Sequence, residues 1–151
     1  MRSLGLLLAA LLALAGCGWG SEPEPPAEPT KRVDERGTRT DLDPLTTRFP
    51  DLGDPVSATW QSGTLGDDRT APGPATYWID AVVTVEPDVA DSLRAQPSSG
   101  SGRDMDLVDA VADEVGDGSF APVAVGGPDM WQVDVWVAAD RDVVVVSARG
   151  E

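Results

Sequence analysis

Two strand-like segments of the sequence each place an aspartate two residues from a tryptophan. Trp78 and Asp80 lie in the segment TYWIDAVVTVE, and Asp134 and Trp136 lie in the segment MWQVDVWVA. Side chains two residues apart on a strand share one face of the sheet. If the two strands pair, that face presents two indoles beside two carboxylates, which suits a sugar ring, and the two acids become a candidate pair for glycoside hydrolysis.

The same four residues also fit a plainer interpretation. A sheet whose second face is covered by a loop or tether shows such aromatic and polar residues as ordinary cross-strand packing. The sequence leaves three interpretations open: interior packing, a ligand or partner surface, and a catalytic acid pair. Trp78, Asp80, Asp134 and Trp136 are therefore a possible ligand or partner surface, and the catalytic interpretation is the narrowest of the three.

Acidic residues are crowded between positions 104 and 117. If this segment is helical, Asp106, Asp109 and Asp113 share one face, and a row of like charges is mildly destabilising unless a cation or solvent screens it. These three acids are a weak calcium candidate beside the interpretation of a solvated acidic helix face. An EF-hand loop starting at Asp104 is excluded, because its sixth position is Asp109 and not glycine.

Composition removes several classes of function. The 151 residues include 26 acids, 11 basic residues, one cysteine and no histidine, and the formal charge is −15. A Ser-His-Asp triad, a histidine-ligated zinc site and an intramolecular disulfide are therefore excluded. A negative field of this size opposes nucleic-acid binding, which depends on neutralising phosphates. We expect no nucleic-acid partner, no cofactor and no enzymatic activity.

The amino-terminal segment predicts the cellular location. Arg2 is followed by an apolar run over 4–14, which has the ~7–15 residue length of a signal-peptide core and is too short to span a membrane. The next residues, Leu14-Ala15-Gly16-Cys17, resemble the lipobox of bacterial lipoprotein precursors. The resemblance implies a diacylglyceryl group on Cys17, cleavage just before it, and a lipid anchor in the cell membrane. An ordinary secretory signal cut after Ala15 is the alternative.

The signal peptide, 1–16, is followed by a segment of a different composition over 17–37. It alternates prolines and glutamates, and it contains the lone lysine, Lys31, and almost no large aliphatic side chain except Val33. Such a segment cannot bury enough apolar surface to order itself. We expect 17–37 to be a disordered tether and 38–151 to be a single folded domain.

Hydrophobic patterning predicts the elements that position the candidate residues. Alternating, β-branched segments predict strands over 56–61, 76–86, 130–138 and 143–149. Helical spacing and helix-start signals predict helices over 44–49, 88–96 and 104–115. The order favours an α+β domain, with a mostly antiparallel sheet of about four strands and one or two helices on one face.

The segments PLTTRFP, SATWQSGTLGDDR and GPATYWIDAVV resemble small lipoproteins of high-GC Gram-positive bacteria that have no assigned activity. The resemblance implies a location on the extracytoplasmic face of the membrane and transfers no site residues. We expect a non-catalytic binding or accessory module that contacts an envelope protein or polysaccharide. The alternative is a carboxylate-dependent hydrolase of envelope polymers that acts through Asp80 and Asp134.

Overall fold

The computed structural model describes residues 29–66, 75–97 and 104–151. The described residues form an antiparallel sheet with strand order β1-β2-β3-β6-β5-β4. The strands are β1 (Lys31–Val33), β2 (Ser57–Leu65), β3 (Tyr77–Thr84), β4 (Phe120–Val123), β5 (Gln132–Ala138) and β6 (Val143–Gly150). The helices are α1 (Asp43–Arg48), α2 (Pro87–Arg94) and α3 (Asp109–Val115), with a 3-10 turn at Pro50–Leu52. The predicted signal peptide, lipobox and Cys17 lie outside the described residues.

The α+β class is confirmed, but the sheet formed by the described residues has six strands and not about four. The two further strands, β1 and β4, are its short edges. β1 lies inside the predicted tether and pairs with β2 through backbone groups, with Lys31 opposite Leu65. Any residue except proline supplies both backbone groups, so pairing of this kind leaves little trace in side-chain pattern.

Helices cover both faces of the sheet, whereas the sequence predicted helices on one face only. We call the face toward α1, the 3-10 turn and α2 the first face, and the face toward α3 the second face. The helical and turn side chains that complete the first-face core are Leu45, Phe49, Leu52, Ala90 and Leu93. On the second face, Val111 of α3 packs in a smaller cluster with Val82, Trp136 and Val145.

The central strands β3 and β6 are buried on both sides. In β6 the run from Val144 to Ala148 is buried without a break, and in β3 the run from Trp78 to Val83 is buried. Strands covered on both faces read as continuous apolar runs and lose their alternation. The four consecutive valines that open β6 are explained by this double burial.

Helix α3 is shorter than the predicted helix over 104–115, because residues 104–108 precede it in a non-helical conformation. Asp106 therefore lies off the helix, and Asp106, Asp109 and Asp113 do not form the expected acidic row. Within 29–66, 75–97 and 104–151, no three acidic or cysteine residues are grouped as a metal site. None of the helices in these ranges is long and apolar enough to cross a membrane.

Candidate functional site

The two predicted Trp/Asp strands are not neighbours, because β6 lies between β3 and β5. Asp80 and Asp134 each lie opposite Ser147 of β6, one on either side. The two aspartates therefore share the second face. Two strand spacings separate their backbones, a distance of about 10 Å.

The side chains predicted to form a ligand or partner surface on this face are mostly buried. Trp78 is 1% exposed, Asp80 is 0% exposed and Trp136 is 5% exposed. Trp136 packs against α3, and the indole Nε1–H of Trp78 donates to the backbone oxygens of Arg32 and Thr64 at 3.2 Å and 3.1 Å. Three of the four predicted surface residues are thus interior packing, which was the plainer interpretation of the pattern.

Asp80 is the centre of a buried polar cluster that the sequence did not predict. Its Oδ2 lies 2.8 Å from Lys31 Nζ and accepts a 3.0 Å hydrogen bond from the backbone N–H of Val108. Its Oδ1 accepts from Ser147 Oγ at 2.9 Å. We call these four residues and Asp106 the Asp80 cluster. They connect β1, β3, β6 and the segment before α3.

Lys31 is fully engaged within the Asp80 cluster. Its Nζ also donates to the backbone oxygen of Asp106, lies 3.4 Å from Asp106 Oδ2, and is 5.6 Å from the ring centroid of Trp78. The side chain is 11% exposed. Removing two charges from water is costly unless their remaining hydrogen-bond positions are filled. Here they are filled, so Lys31 connects β1 to β3 and to the segment before α3.

An open pocket of about 410 Å³ lies on the first face, near the ends of β2 and β3. We call it the arginine–aromatic pocket, after the residues that dominate its lining: Arg36, Arg39, Arg48, Trp60, Tyr77 and Trp131. None of these residues was a candidate in the sequence. Three guanidinium groups line the pocket, against the lining carboxylate of Asp34 and the Asp41 carboxylate that pairs with Arg39, so the pocket is locally positive in a chain whose formal charge is −15.

Two aromatic side chains surround Gly150 at one end of this pocket. Tyr77 lies opposite Gly150 in the β3–β6 register and is 49% exposed. A Cβ atom at Gly150 would lie 2.3 Å from the Trp131 ring, so that ring rests directly on the glycine backbone. The absence of a side chain at Gly150 therefore allows the indole of Trp131 to lie against the sheet, and Tyr77 lines the same pocket.

Arg39 is held rigidly at the other end of the pocket. Its guanidinium carbon lies 3.8 Å from the ring centroid of Trp60, and its Nε and Nη2 donate to the Asp41 carboxylate at 3.0 Å and 2.7 Å. Trp60 Nε1–H in turn donates to the backbone oxygen of Asp41 at 2.9 Å. The hydrogen bonds from Arg39 hold the pKa of the Asp41 carboxyl below its usual value.

Arg36 and Arg48 are exposed and less constrained. Arg48 donates to the backbone oxygen of Pro44 at 3.2 Å, and within the described part of the chain no carboxylate forms an ion pair with either guanidinium group. The pocket's own acid, Asp34, accepts from Ser62 Oγ at 2.8 Å and from the backbone N–H of Arg36 at 2.9 Å. Both guanidinium groups thus line the pocket without a carboxylate partner among the described residues.

No family model, curated protein or solved structure matches this chain. The functional assignment therefore rests on the chemistry of the site. Aromatic rings beside guanidinium groups have the chemistry that suits a ligand with both a flat apolar face and a negative group.

Proposed function

We propose that this protein is a membrane-anchored extracytoplasmic lipoprotein whose folded part binds a component of the cell envelope without transforming it. The proposed anchor is a lipid on Cys17, supported by the lipobox resemblance of Leu14-Ala15-Gly16-Cys17. The proposed binding site is the arginine–aromatic pocket. The observation that carries the proposal is a positive, ring-lined pocket in a strongly acidic chain.

The pocket has the properties of a binding site. Its volume of about 410 Å³ falls within the ~300–1,000 Å³ range of small-molecule sites. Arg39 is held in advance by Asp41 and Trp60, so binding costs little ordering of that side chain. Trp131 is likewise positioned on the backbone of Gly150 before any ligand arrives.

The alternative function, hydrolysis of envelope polymers through Asp80 and Asp134, has weaker support. An acid or base must reach the proton that it transfers. Asp80 is buried, and both of its oxygens accept hydrogen bonds within the protein. A binding role needs no such access at Asp80, so the geometry favours it.

The anchor is tested by growing producing cells with a fatty-acid probe. We expect label on the wild-type protein and none on Cys17→Ser, because the lipid is attached through the thiol. Absence of label on the wild type, or undiminished label on Cys17→Ser, would contradict the proposed anchor.

The binding role is tested by co-sedimentation of the full chain, in mild detergent, with purified envelope polymers. Wild-type protein should co-sediment and Arg48→Ala should do so less. Arg149→Ala is the matched control, because Arg149 belongs to the second face and lies 3.8 Å from Asp106, away from the pocket. A wild-type protein that stays in the supernatant with every polymer would overturn the binding role.

A further inference from the structure

We infer that the arginine–aromatic pocket binds a saccharide unit that carries a carboxylate or phosphate group. This inference rests on the proposed binding function and specifies its ligand class. It is carried by the combination of ring surfaces, guanidinium groups and polar side chains in one small pocket.

The ring surfaces account for the saccharide ring. The Trp131 indole lies on the Gly150 backbone, and Tyr77, on the neighbouring strand, is half exposed beside it. An aromatic face carries negative charge density and attracts the weakly positive C–H groups that line the apolar face of a sugar. Two aromatic rings that line one pocket, on either side of Gly150, are therefore suited to stack against the apolar face of one pyranose ring.

The guanidinium groups account for the acidic substituent. Arg36 and Arg48 have no carboxylate partner among the described residues, and only Nη1 of Arg48 is engaged, with the backbone oxygen of Pro44. A guanidinium group binds carboxylate or phosphate through two parallel hydrogen bonds. The chain as a whole is strongly negative and repels a long polyanion. Attraction is therefore confined to the pocket, which favours one acidic unit over contact along an extended polyanion.

The polar lining accounts for the sugar hydroxyl groups. Asp34, Ser62 and Thr64 line the same pocket. A carboxylate and two hydroxyl groups offer acceptors to the hydroxyl hydrogens of a sugar. Asp34 also opposes a bare inorganic anion, so the lining favours an anion that brings hydroxyl groups with it.

The ligand class is tested by titrating the full chain, in mild detergent, with four small probes and recording saturation-transfer NMR signals. The probes are D-glucuronate, D-glucose 6-phosphate, D-glucose and inorganic phosphate. We expect glucuronate or glucose 6-phosphate to bind at least about tenfold more tightly than glucose, which corresponds to one charge-assisted hydrogen bond. The stronger of these two identifies the acidic group as carboxylate or phosphate.

Two results would overturn the inference. Equal binding of glucose would remove the requirement for an acidic group, and inorganic phosphate binding as tightly as glucose 6-phosphate would remove the requirement for a sugar. If none of the four probes binds while the full chain still co-sediments with an envelope polymer, the inference fails and the binding role survives.

Variants locate the binding in the pocket. Arg48→Ala should weaken the acidic sugar by about tenfold and leave glucose unchanged, because only the charged contact is lost. Trp131→Ala should weaken both sugars by about 2–10-fold, whereas Trp131→Phe, which keeps a ring, should weaken them less. Arg149→Ala should bind like the wild type. Equal loss in Arg48→Ala and Arg149→Ala would show that the effect is general charge and would contradict the assignment.

Discussion

Lys31 Nζ lies 2.8 Å from Asp80 Oδ2, although the two residues are 49 positions apart in the chain. The contact crosses β2 and joins the edge strand β1 to the centre of the sheet. The ion pair passes over β2 at Gly63, which pairs with Val33 of β1 on one side and with Trp78 of β3 on the other. A lysine in a Pro/Glu-rich segment thus becomes part of the interior of the fold.

Breaking this ion pair should destabilise the protein strongly. Lys31→Met leaves the Asp80 carboxylate buried without its positive partner. Asp80→Asn likewise leaves the Lys31 ammonium group without its negative partner. We expect each change to lower the free energy of unfolding in urea by about 3–5 kcal/mol. The double variant should lose less than the sum of the two single losses. Exact additivity would show that the two side chains are not coupled.

The matched control for this pair is Arg149→Ala. Arg149 makes a longer contact of 3.8 Å with Asp106, and Asp106 is mostly exposed. Exposed pairs contribute about 0–1 kcal/mol. A loss from Arg149→Ala as large as that from Lys31→Met would contradict the special role of the buried pair.

Gly63→Ala should detach β1 from the sheet. A Cβ atom at this position would lie 1.7 Å from the backbone oxygen of Arg32, which cannot move without breaking the β1–β2 pairing. We expect a loss of about 3 kcal/mol, at the upper end of overpacking effects. Amide exchange should report it at Asp34, whose N–H donates to the Ser62 backbone oxygen at 2.9 Å.

Gly126→Ala is the comparison variant for Gly63→Ala. Its new Cβ atom would meet only the end of the Asp51 side chain, at 3.0 Å. Protection of the Asp34 amide should be retained in Gly126→Ala. Equal loss of that protection in both variants would show that the close approach at Gly63 is not what holds β1.

Gly150→Ala should displace the Trp131 ring from the floor of the pocket. The added methyl group would lie 2.3 Å from that ring, so the indole must swing away and become more exposed. We expect the tryptophan fluorescence to shift to longer wavelength. The same substitution in a Trp131→Phe background should give no shift, and a shift that persists there would assign it to another tryptophan.

The carboxyl of Asp41 should titrate at unusually low pH. The side-chain hydrogen bonds from Arg39 are the main cause of its lowered pKa, and the charge of Arg36 is a smaller one. Arg39→Gln should therefore raise the pKa of Asp41 clearly, and Arg36→Gln should raise it less. Carboxyl-carbon NMR titration measures both changes. The reverse order would show that through-space charge dominates.

The sign of the pH effect follows from the lowered pKa of Asp41. The stabilisation from its pairing with Arg39 is fully present above the pKa of an aspartate in the unfolded chain, about 3.9. It is lost as the pH falls through the lower pKa of the folded state. Arg39→Gln should therefore flatten the acid side of the stability profile and leave its neutral side with the same slope.

Patterns that are local in the chain predicted much of the fold. The alternation in 76–86 and the helix-start signals at Asp43-Pro44 and Pro87 locate β3, α1 and α2 to within a few residues. Local patterns could not predict the order of the strands in the sheet, because β6 lies between β3 and β5 and pairs with residues far away in the chain. The same insertion separated Asp80 from Asp134.

The site was missed for a related physical reason. Tyr77 and Trp131 each lie at the start of an alternating apolar segment, and this pattern predicts core positions for both. In the structure both are neighbours of Gly150, a relationship that the sequence does not show. Arg39 and Arg48 lie on a loop and at the end of a short helix, with no spacing that marks a site. For the Asp80 cluster one sequence signal was available, since the only lysine of the chain and an aspartate inside an apolar strand are a candidate ion pair.

β1 is also the first part of the described fold that a pull on the amino-terminal side of the chain would reach. The strand contains three residues and is fastened by its pairing with β2 and by Lys31 on Asp80. A force applied at residue 29 therefore acts on the β1–β2 pairing and on the Lys31–Asp80 ion pair before it acts on β3 or β6. The force needed to separate β1 from the sheet is therefore set by the ion pairs of Lys31 with Asp80 and Asp106 and by a few hydrogen bonds, and the central strands are loaded only after that edge has separated.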